Sequence, residues 1–266
     1  MKVEIANLEQ GARQARGIAV IIDVFRAFTT AAHAFERGAK EILMLGDGDT
    51  ALALKASGRA DLCMGEAEGR KVDGFDFGNS PHAVSQADLS GKVLAQKTSN
   101  GTRGLLAATG AEEIYTGAFV TAAATVRCIR ARGPETVCIV AMGAAERPAA
   151  EDEVCALYHR ALLQGLSPDK EALRTLVASL VPPANQQLVA SGDYPPEDRD
   201  LALAADSMNF AIRVVTEDGM LVARPEFPPG RRGLHDPFGD TPEANLLGQD
   251  MVVGWDGSFE VMIGGD

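Results

Sequence analysis

Asp23 closes the apolar run Ile18 to Ile22, and Arg26 follows three positions later. A carboxylate at a strand end points into the crevice where α/β sheets take their ligands. Its oxygens suit Mg²⁺, which prefers hard oxygen donors and keeps several waters. A nearby guanidinium can grip phosphate or sulfonate through two hydrogen bonds, although the same pair would also serve as an ordinary ion pair at a helix start. Thr98-Ser99-Asn100-Gly101-Thr102-Arg103 stands between a strand and a helix. A glycine-containing turn there offers unpaired N–H groups and the positive end of the helix dipole to an anion; simple capping by Ser or Asn is the commoner use. Gly65-Glu66 opens a long stretch ending in Asn79-Ser80-Pro81, a turn and helix-start signal. Glu151-Asp152 follows a glycine-containing loop, where adjacent acids ordinarily complement a helix dipole. Each feature is weak alone. Their shared place after strands makes one candidate cleft, with carboxylates for a divalent cation and N–H groups and guanidinium for an anionic ester.

Several standard hydrolase signatures fail. Asp23-Val24-Phe25 lacks the second acid of a D-x-D motif, and Asp47-Gly48-Asp49-Thr50-Ala51 lacks its closing Thr or Val. Cys63 and Arg70 are one residue too far apart for a cysteine phosphatase loop. His33, His82, His159 and His235 form no cluster, zinc-ligand spacing is absent, and no G-x-G-x-x-G follows Ile18–Ile22.

The elements that must position these residues alternate. Continuous apolar runs read as buried parallel strands at Ile18–Ile22, Glu41–Leu45, Asp61–Met64, Lys92–Gln96, Glu113–Thr116 and Thr136–Met142. Helices are expected over Arg26–Gly38, from a cap at Asp49 to Gly58, from the Thr98–Thr102 turn to Thr109, over Val120–Arg132 and over Glu151–Leu163. Gly65 to Pro81 has no periodicity and reads as a long functional loop. The prediction is an α/β fold with a mostly parallel, helix-covered sheet over residues 1–165. A helical and irregular C-terminal elaboration over 166–266 completes a single domain. Within it, 166–217 reads as helices broken by prolines, the Pro- and Gly-rich stretch from Arg224 as extended or mobile, and the segments around Trp255-Asp256-Gly257-Ser258 as a terminal hairpin.

The chain of 266 residues is 46% hydrophobic, enough for one sizeable core. Its formal net charge of -12 argues against nucleic acid as a partner, though a local cluster of cations can still take a small anion. No run approaches the ~18–20 apolar residues a membrane helix needs, and the first residues carry no apolar leader. The four widely spaced cysteines read as free thiols. A cytoplasmic protein is expected, with a homodimer as the base-rate assembly.

The motifs together resemble one family. Asp23-Val24-Phe25-Arg26-Ala27-Phe28-Thr29-Thr30 is similar to the D-V-x-R-A-x-[ST]-T segment of the 2-phosphosulfolactate phosphatases. Gly65-Glu66 with Gly74-Phe75-Asp76-Phe77-Gly78-Asn79-Ser80-Pro81 resembles their G-E-R and G-F-D-x-G-N-S-P stretches, and Thr98–Arg103 resembles T-T-N-G-T-R. Arg147 and Glu151-Asp152 fall where the family carries G-R-F-S-L-E-D. The resemblance spans about residues 15–165. It implies a Mg²⁺-dependent hydrolase of 2-phospho-3-sulfolactate, whose product 3-sulfolactate lies on the coenzyme M pathway. The catalytic residues would be Asp23, Arg26, Glu66 and Asp152, with Asp23, Glu66 and Asp152 holding the metal. Asn79, Ser80, Thr98, Asn100, Gly101, Thr102, Arg103 and Arg147 would bind the substrate. The chain departs from the family at Ala67 (for Arg), Thr121, Ala141, Glu146 and Pro148, which makes the site less cationic. A phosphatase for another small phosphorylated acid, and a catalytically silent anion-binding or assembly protein of the same fold, are the alternative readings.

Overall fold

The computed structural model describes residues 1–181 and 186–229, together with the backbone of two short strands further on. The chain opens with β1 (Lys2–Asn7) and α1 (Leu8–Gln14), followed by β2 (Ile18–Ile22), α2 (Ala27–Glu36), β3 (Glu41–Leu45), α3 (Gly48–Ala56) and β4 (Leu62–Ala67). Next come β5 (Arg70–Lys71), α4 (Pro81–Ser85), β6 (Val93–Lys97), α5 (Gly101–Ala107), β7 (Glu113–Gly117), α6 (Ala122–Arg132), β8 (Thr136–Ala141) and α7 (Ala150–Leu163). Three helices, α8 (Lys170–Leu180), α9 (Gln186–Ala190) and α10 (Glu197–Ala202), precede β9 (Ala211–Glu217) and β10 (Met220–Glu226). The last pair, β11 (Met251–Val253) and β12 (Phe259–Val261), is antiparallel and belongs to a second unit, residues 232–266. Much of the stretch expected to be extended or mobile lies outside the described residues. Among the described residues, no helix is long and apolar enough to cross a membrane.

The sheet order is β1-β8-β2-β7-β9-β10-β3-β6-β4-β5. Two parallel blocks are visible in it. β1, β8, β2 and β7 run parallel to one another, as do β3, β6 and β4. The hairpin β9–β10 joins the blocks, pairing antiparallel with β7 on one side and β3 on the other. This corrects the expectation of helices throughout 166–217: Ala211–Glu217 is a central strand. Its two-residue turn, Asp218-Gly219, has positive φ at both positions (49° and 78°), as a tight hairpin requires.

Both faces of the sheet are covered, so the strands are apolar on both sides. Along β2, Ile18, Val20 and Ile22 enter one core and Ala19 and Ile21 the other. Phe28, Ala31 and Ala32 of α2 share the second of these cores with Met44 of β3, Met64 of β4 and Leu94 of β6. On a flat sheet β2 and β6 would stand roughly 24 Å apart at about 4.8 Å per strand. Yet the Gln96 side chain of β6 donates to the Ala27 carbonyl of α2 at 3.0 Å. The sheet therefore curls around α2, and the curl brings the ends of distant strands together.

Two local readings also change. The α3 cap is Asp47, whose carboxylate accepts from Thr50 N–H at 2.7 Å, and Asp49 lies in the first turn. The stretch from Gly65 is partly regular: β4 runs to Ala67 and folds back as β5.

Candidate active site

Asp23 leaves β2 with its N–H bonded to the Gly117 carbonyl at 3.2 Å, and its Oδ1 accepts from Ala27 N–H at 3.0 Å. The side chain is buried, against the first turn of α5. Only glycine fits at position 101: a Cβ there would meet Ala27 Cβ at 2.7 Å and Asp23 Oδ2 at 3.0 Å. Burial first, then the neighbouring charges of Glu66 and Glu151, push the Asp23 carboxyl up to about 7 against the lowering effect of the Ala27 and Gly101 N–H groups.

Asp152 sits in the first turn of α7 but turns its side chain back to the sheet. Oδ1 accepts from Val24 N–H and Oδ2 from Gly143 N–H, both at 2.8 Å. It therefore ties the segments after β2 and β8 together. Burial, then repulsion from Asp23 and Glu151, holds its carboxyl well above the usual carboxylate range. Half-buried Glu151 is also raised, chiefly by burial. Glu66, at the end of β4, is buried and accepts from Ser99 N–H (2.6 Å), the Ser99 hydroxyl (3.0 Å) and Gly69 N–H (2.7 Å). Mutual electrostatic effects thus join Asp23 to Glu66, Asp152 and Glu151. All four groups follow strands or open a helix at one end of the curled sheet.

Arg26 is buried, with Nη1 donating to Asp198 Oδ2 at 2.7 Å and to the Asp193 carbonyl at 2.6 Å. The Tyr194 ring covers the guanidinium at 3.9 Å. Ser80 caps α4 by accepting from Ala83 N–H and donates to Asp198 Oδ1 at 2.7 Å. Asn79 is buried, its carbonyl accepting from the Thr30 hydroxyl, while its Oδ1 has no partner among the described residues. Thr98 and Thr102 spend their hydroxyls on each other's backbone, which fixes the turn. Asn100 precedes α5 without a side-chain capping bond. It lines a cavity of about 280 Å³ with Leu8, Glu9, Ser99, Arg103, Met142 and Glu146, among others. Arg103 is half-exposed and paired with Glu9 at 2.5 Å. Arg147 is exposed, in a turn closed by backbone bonds to Ala144, with no ion pair among the described residues.

The structure thus gathers Asp23, Glu66, Asp152 and Gly101, and links Arg26 to Ser80 through Asp198. Arg103 lines the neighbouring cavity and is held by Glu9, and Arg147 is exposed in the loop after β8. Sequence reasoning did not find Asp193, Tyr194 or Asp198. Pro195-Pro196 reads only as a helix break, and nothing local marks an acid whose partner lies 172 positions away.

The family described as 2-phosphosulpholactate phosphatase matches residues 4–186, more than half of the chain. The chain belongs to the 2-phosphosulpholactate phosphatase family. Relatives named probable 2-phosphosulfolactate phosphatase include those of Bacillus subtilis (strain 168), 34% identical, and Cyanothece sp. (strain PCC 7425 / ATCC 29141), 38% identical. A third, from Caldicellulosiruptor saccharolyticus, is 37% identical. The matches cover 56%, 54% and 53% of this chain and 64%, 61% and 60% of those relatives, in the same order. The family match holds Asp23, Arg26, Glu66, the Thr98–Thr102 turn and Asp152, and ends before Asp193 and Asp198.

Proposed function

We propose that the protein is a Mg²⁺-dependent phosphatase that hydrolyses a small anionic phosphoester, with 2-phospho-3-sulfolactate as the substrate its relatives' names suggest. The reading rests most heavily on Asp23, a buried carboxylate against the α5 turn with Arg26 three residues on. Its carboxyl is poised near neutral pH, where a modest change of surroundings switches its charge.

The donor set fits Mg²⁺. Asp23, Glu66 and Asp152 are buried oxygen donors whose negative charges oppose one another. Among the described residues no three acidic, His or Cys groups converge as a preformed metal cage. Mg²⁺ is ordinarily held by one or two carboxylates, waters and the substrate's own phosphate, so Asp23 with either Glu66 or Asp152 would be enough. When bound by these residues it would supply Lewis-acid neutralisation of the phosphoryl charge.

The chain's own groups account for the remaining roles. The Gly101 and Thr102 N–H groups hold Asp23 and the Thr98 hydroxyl, so the Asn100 end of the turn and the guanidinium of Arg26 are the groups that orient the phosphoryl oxygens and stabilise charge gathering on them. Ionised Asp23 attacks phosphorus through a carboxylate oxygen, and the ester C–O–P link breaks on the phosphorus side. The leaving alcohol takes up a proton, for which Glu151, raised chiefly by burial, is the candidate donor, to be reprotonated by the water of the second step. Water then cleaves the aspartyl phosphate, returning Asp23 and releasing inorganic phosphate.

A second substrate reading draws on the cavity beside Asn100. Its acids Glu9 and Glu146 outnumber Arg103, which Glu9 already pairs. That lining favours a phosphorylated acid without a second strong anion. A panel of phosphoesters assayed with Mg²⁺ and with EDTA decides between the two. Turnover of phosphosulfolactate supports the first, and turnover confined to other esters supports the second. Asp23→Asn is expected to abolish turnover while the far-UV spectrum stays native; a variant that still turns over removes Asp23 from the mechanism.

A further inference from the structure

The short segment from Asp193 to Asp198 contacts two motif-bearing stretches at once, around Arg26 and between Lys71 and His82. Both its Asp193 carbonyl and its Asp198 carboxylate accept from Arg26 Nη1, at 2.6 and 2.7 Å. The second Asp198 oxygen accepts from the Ser80 hydroxyl at 2.7 Å and from His82 N–H at 3.0 Å. The Asp193 carboxylate accepts from Lys71 N–H at 3.0 Å. Tyr194 lies against the guanidinium face, and its ring also feels the charge of Glu151. The side chains of Arg26 and Asp198 are 3% and 0% exposed, so the ion pair itself is buried.

The pairing is one-sided. Nη1 carries two hydrogens and has two acceptors, while Nε and Nη2 make no hydrogen bond among the described residues. A guanidinium uses such an unspent edge to take two oxygens of a phosphate in parallel.

We infer that Asp198 is a positioning residue for Arg26. It anchors the guanidinium by Nη1 so that the Nε–Nη2 edge is offered to the phosphoryl group, and Tyr194 fixes the guanidinium plane. The segment lies beyond the family match, which ends at residue 186. A strap from the C-terminal part of the chain thus completes a site whose other parts lie in the family region. The inference rests on the phosphoester reading above.

The experiment is calorimetric titration of the full chain with inorganic phosphate in the presence of Mg²⁺, on the wild type, Arg26→Gln, Asp198→Asn, the double variant and Tyr194→Leu. Arg26→Gln and Asp198→Asn should each weaken phosphate at least tenfold. The double variant should bind no more weakly than Arg26→Gln, because Asp198 acts only through Arg26. If Asp198→Asn fails to fold, Tyr194→Leu carries the test, with an expected several-fold loss that vanishes in the Arg26→Gln background. Additive losses, or wild-type phosphate affinity in Asp198→Asn, overturn the inference even if the protein turns over phosphoesters. Coupled losses without turnover of any ester keep the positioning role and remove the phosphatase reading. No phosphate binding by the wild type removes both.

Discussion

Glu66 and Ser99 are joined twice, the carboxylate accepting the Ser99 N–H at 2.6 Å and its hydroxyl at 3.0 Å. Ser99 immediately precedes Asn100 and the α5 turn, so this link sets where that turn stands against Asp23. Glu66→Gln replaces one acceptor oxygen with a donor, leaving either Ser99 or Gly69 with an unpaired N–H. Such a loss costs about 1–3 kcal/mol. Denaturant melts should show that loss, and kcat/KM should fall at least tenfold. Wild-type turnover in this variant would mean the turn holds its place without Glu66.

Gly101 tests the same turn from the other side. Its added Cβ would meet Ala27 Cβ at 2.7 Å, Asp23 Oδ2 at 3.0 Å and the Phe28 ring at 3.2 Å. Gly101→Ala must push α5 away from Asp23. A displacement near 1 Å costs about 100-fold in rate, so kcat should drop by that order, with about 1–3 kcal/mol of stability lost to overpacking. Steady-state kinetics beside a thermal melt measure both; unchanged kcat would show that the turn takes no part in the reaction.

Two glycines with positive φ should respond very differently. At Gly219 (φ 78°) a Cβ meets nothing within 4 Å, so Gly219→Ala incurs only the backbone penalty of about 1–2 kcal/mol. At Gly65 (φ 137°) the Cβ would stand 1.8 Å from the Lys97 carbonyl oxygen, inside the β4–β6 pairing. Gly65→Ala should be the more damaging, by stability and by displacement of Glu66. Equal melting temperatures for the two variants would contradict the close approach.

His159 supplies a pH limb remote from the acids. It is fully buried on α7, and its Nδ1 lies 2.9 Å from the Cys155 carbonyl, which can only accept, so Nδ1 carries the proton. Nε2 is buried and has no partner among the described residues. Burial lowers its pKa below the ordinary 6.5. As pH falls through about 6.5 the unfolded chain takes up a proton that the folded chain refuses, so stability declines on the acid side. His159→Leu should remove that part of the decline. The difference between variant and wild type in urea unfolding, measured from pH 8 down to pH 5, should grow in the variant's favour. A constant difference would refute the assignment.

Much of the sheet is legible because buried parallel strands write themselves as unbroken apolar runs: β2 and β3 have the bounds their sequences suggest. β1 went unread because an edge strand, half-exposed, carries only Val3 and Ile5 as its signal. β9 and β10 did announce themselves, through Asp218-Gly219 between apolar stretches, but the flanking prolines and charges masked the pattern. For the site, local motifs located the acids and the turn. What they could not convey is which oxygens are already spent. Asp152 serves two backbone N–H groups, and the Thr98 and Thr102 hydroxyls serve each other. Those facts follow from long-range closure, which no window of sequence contains.

The insertion of β9–β10 between the two parallel blocks has a consequence for biosynthesis. A ribosome must deliver residue 226 before β7 and β3 can be bridged. Until then the nascent chain holds two incomplete half-sheets with bare inner rims, ready to stick to other chains. Such dependence on contacts far apart along the chain makes folding slow. A protein cut at the family boundary would retain nearly every signature residue and still lack the piece that makes one sheet of them.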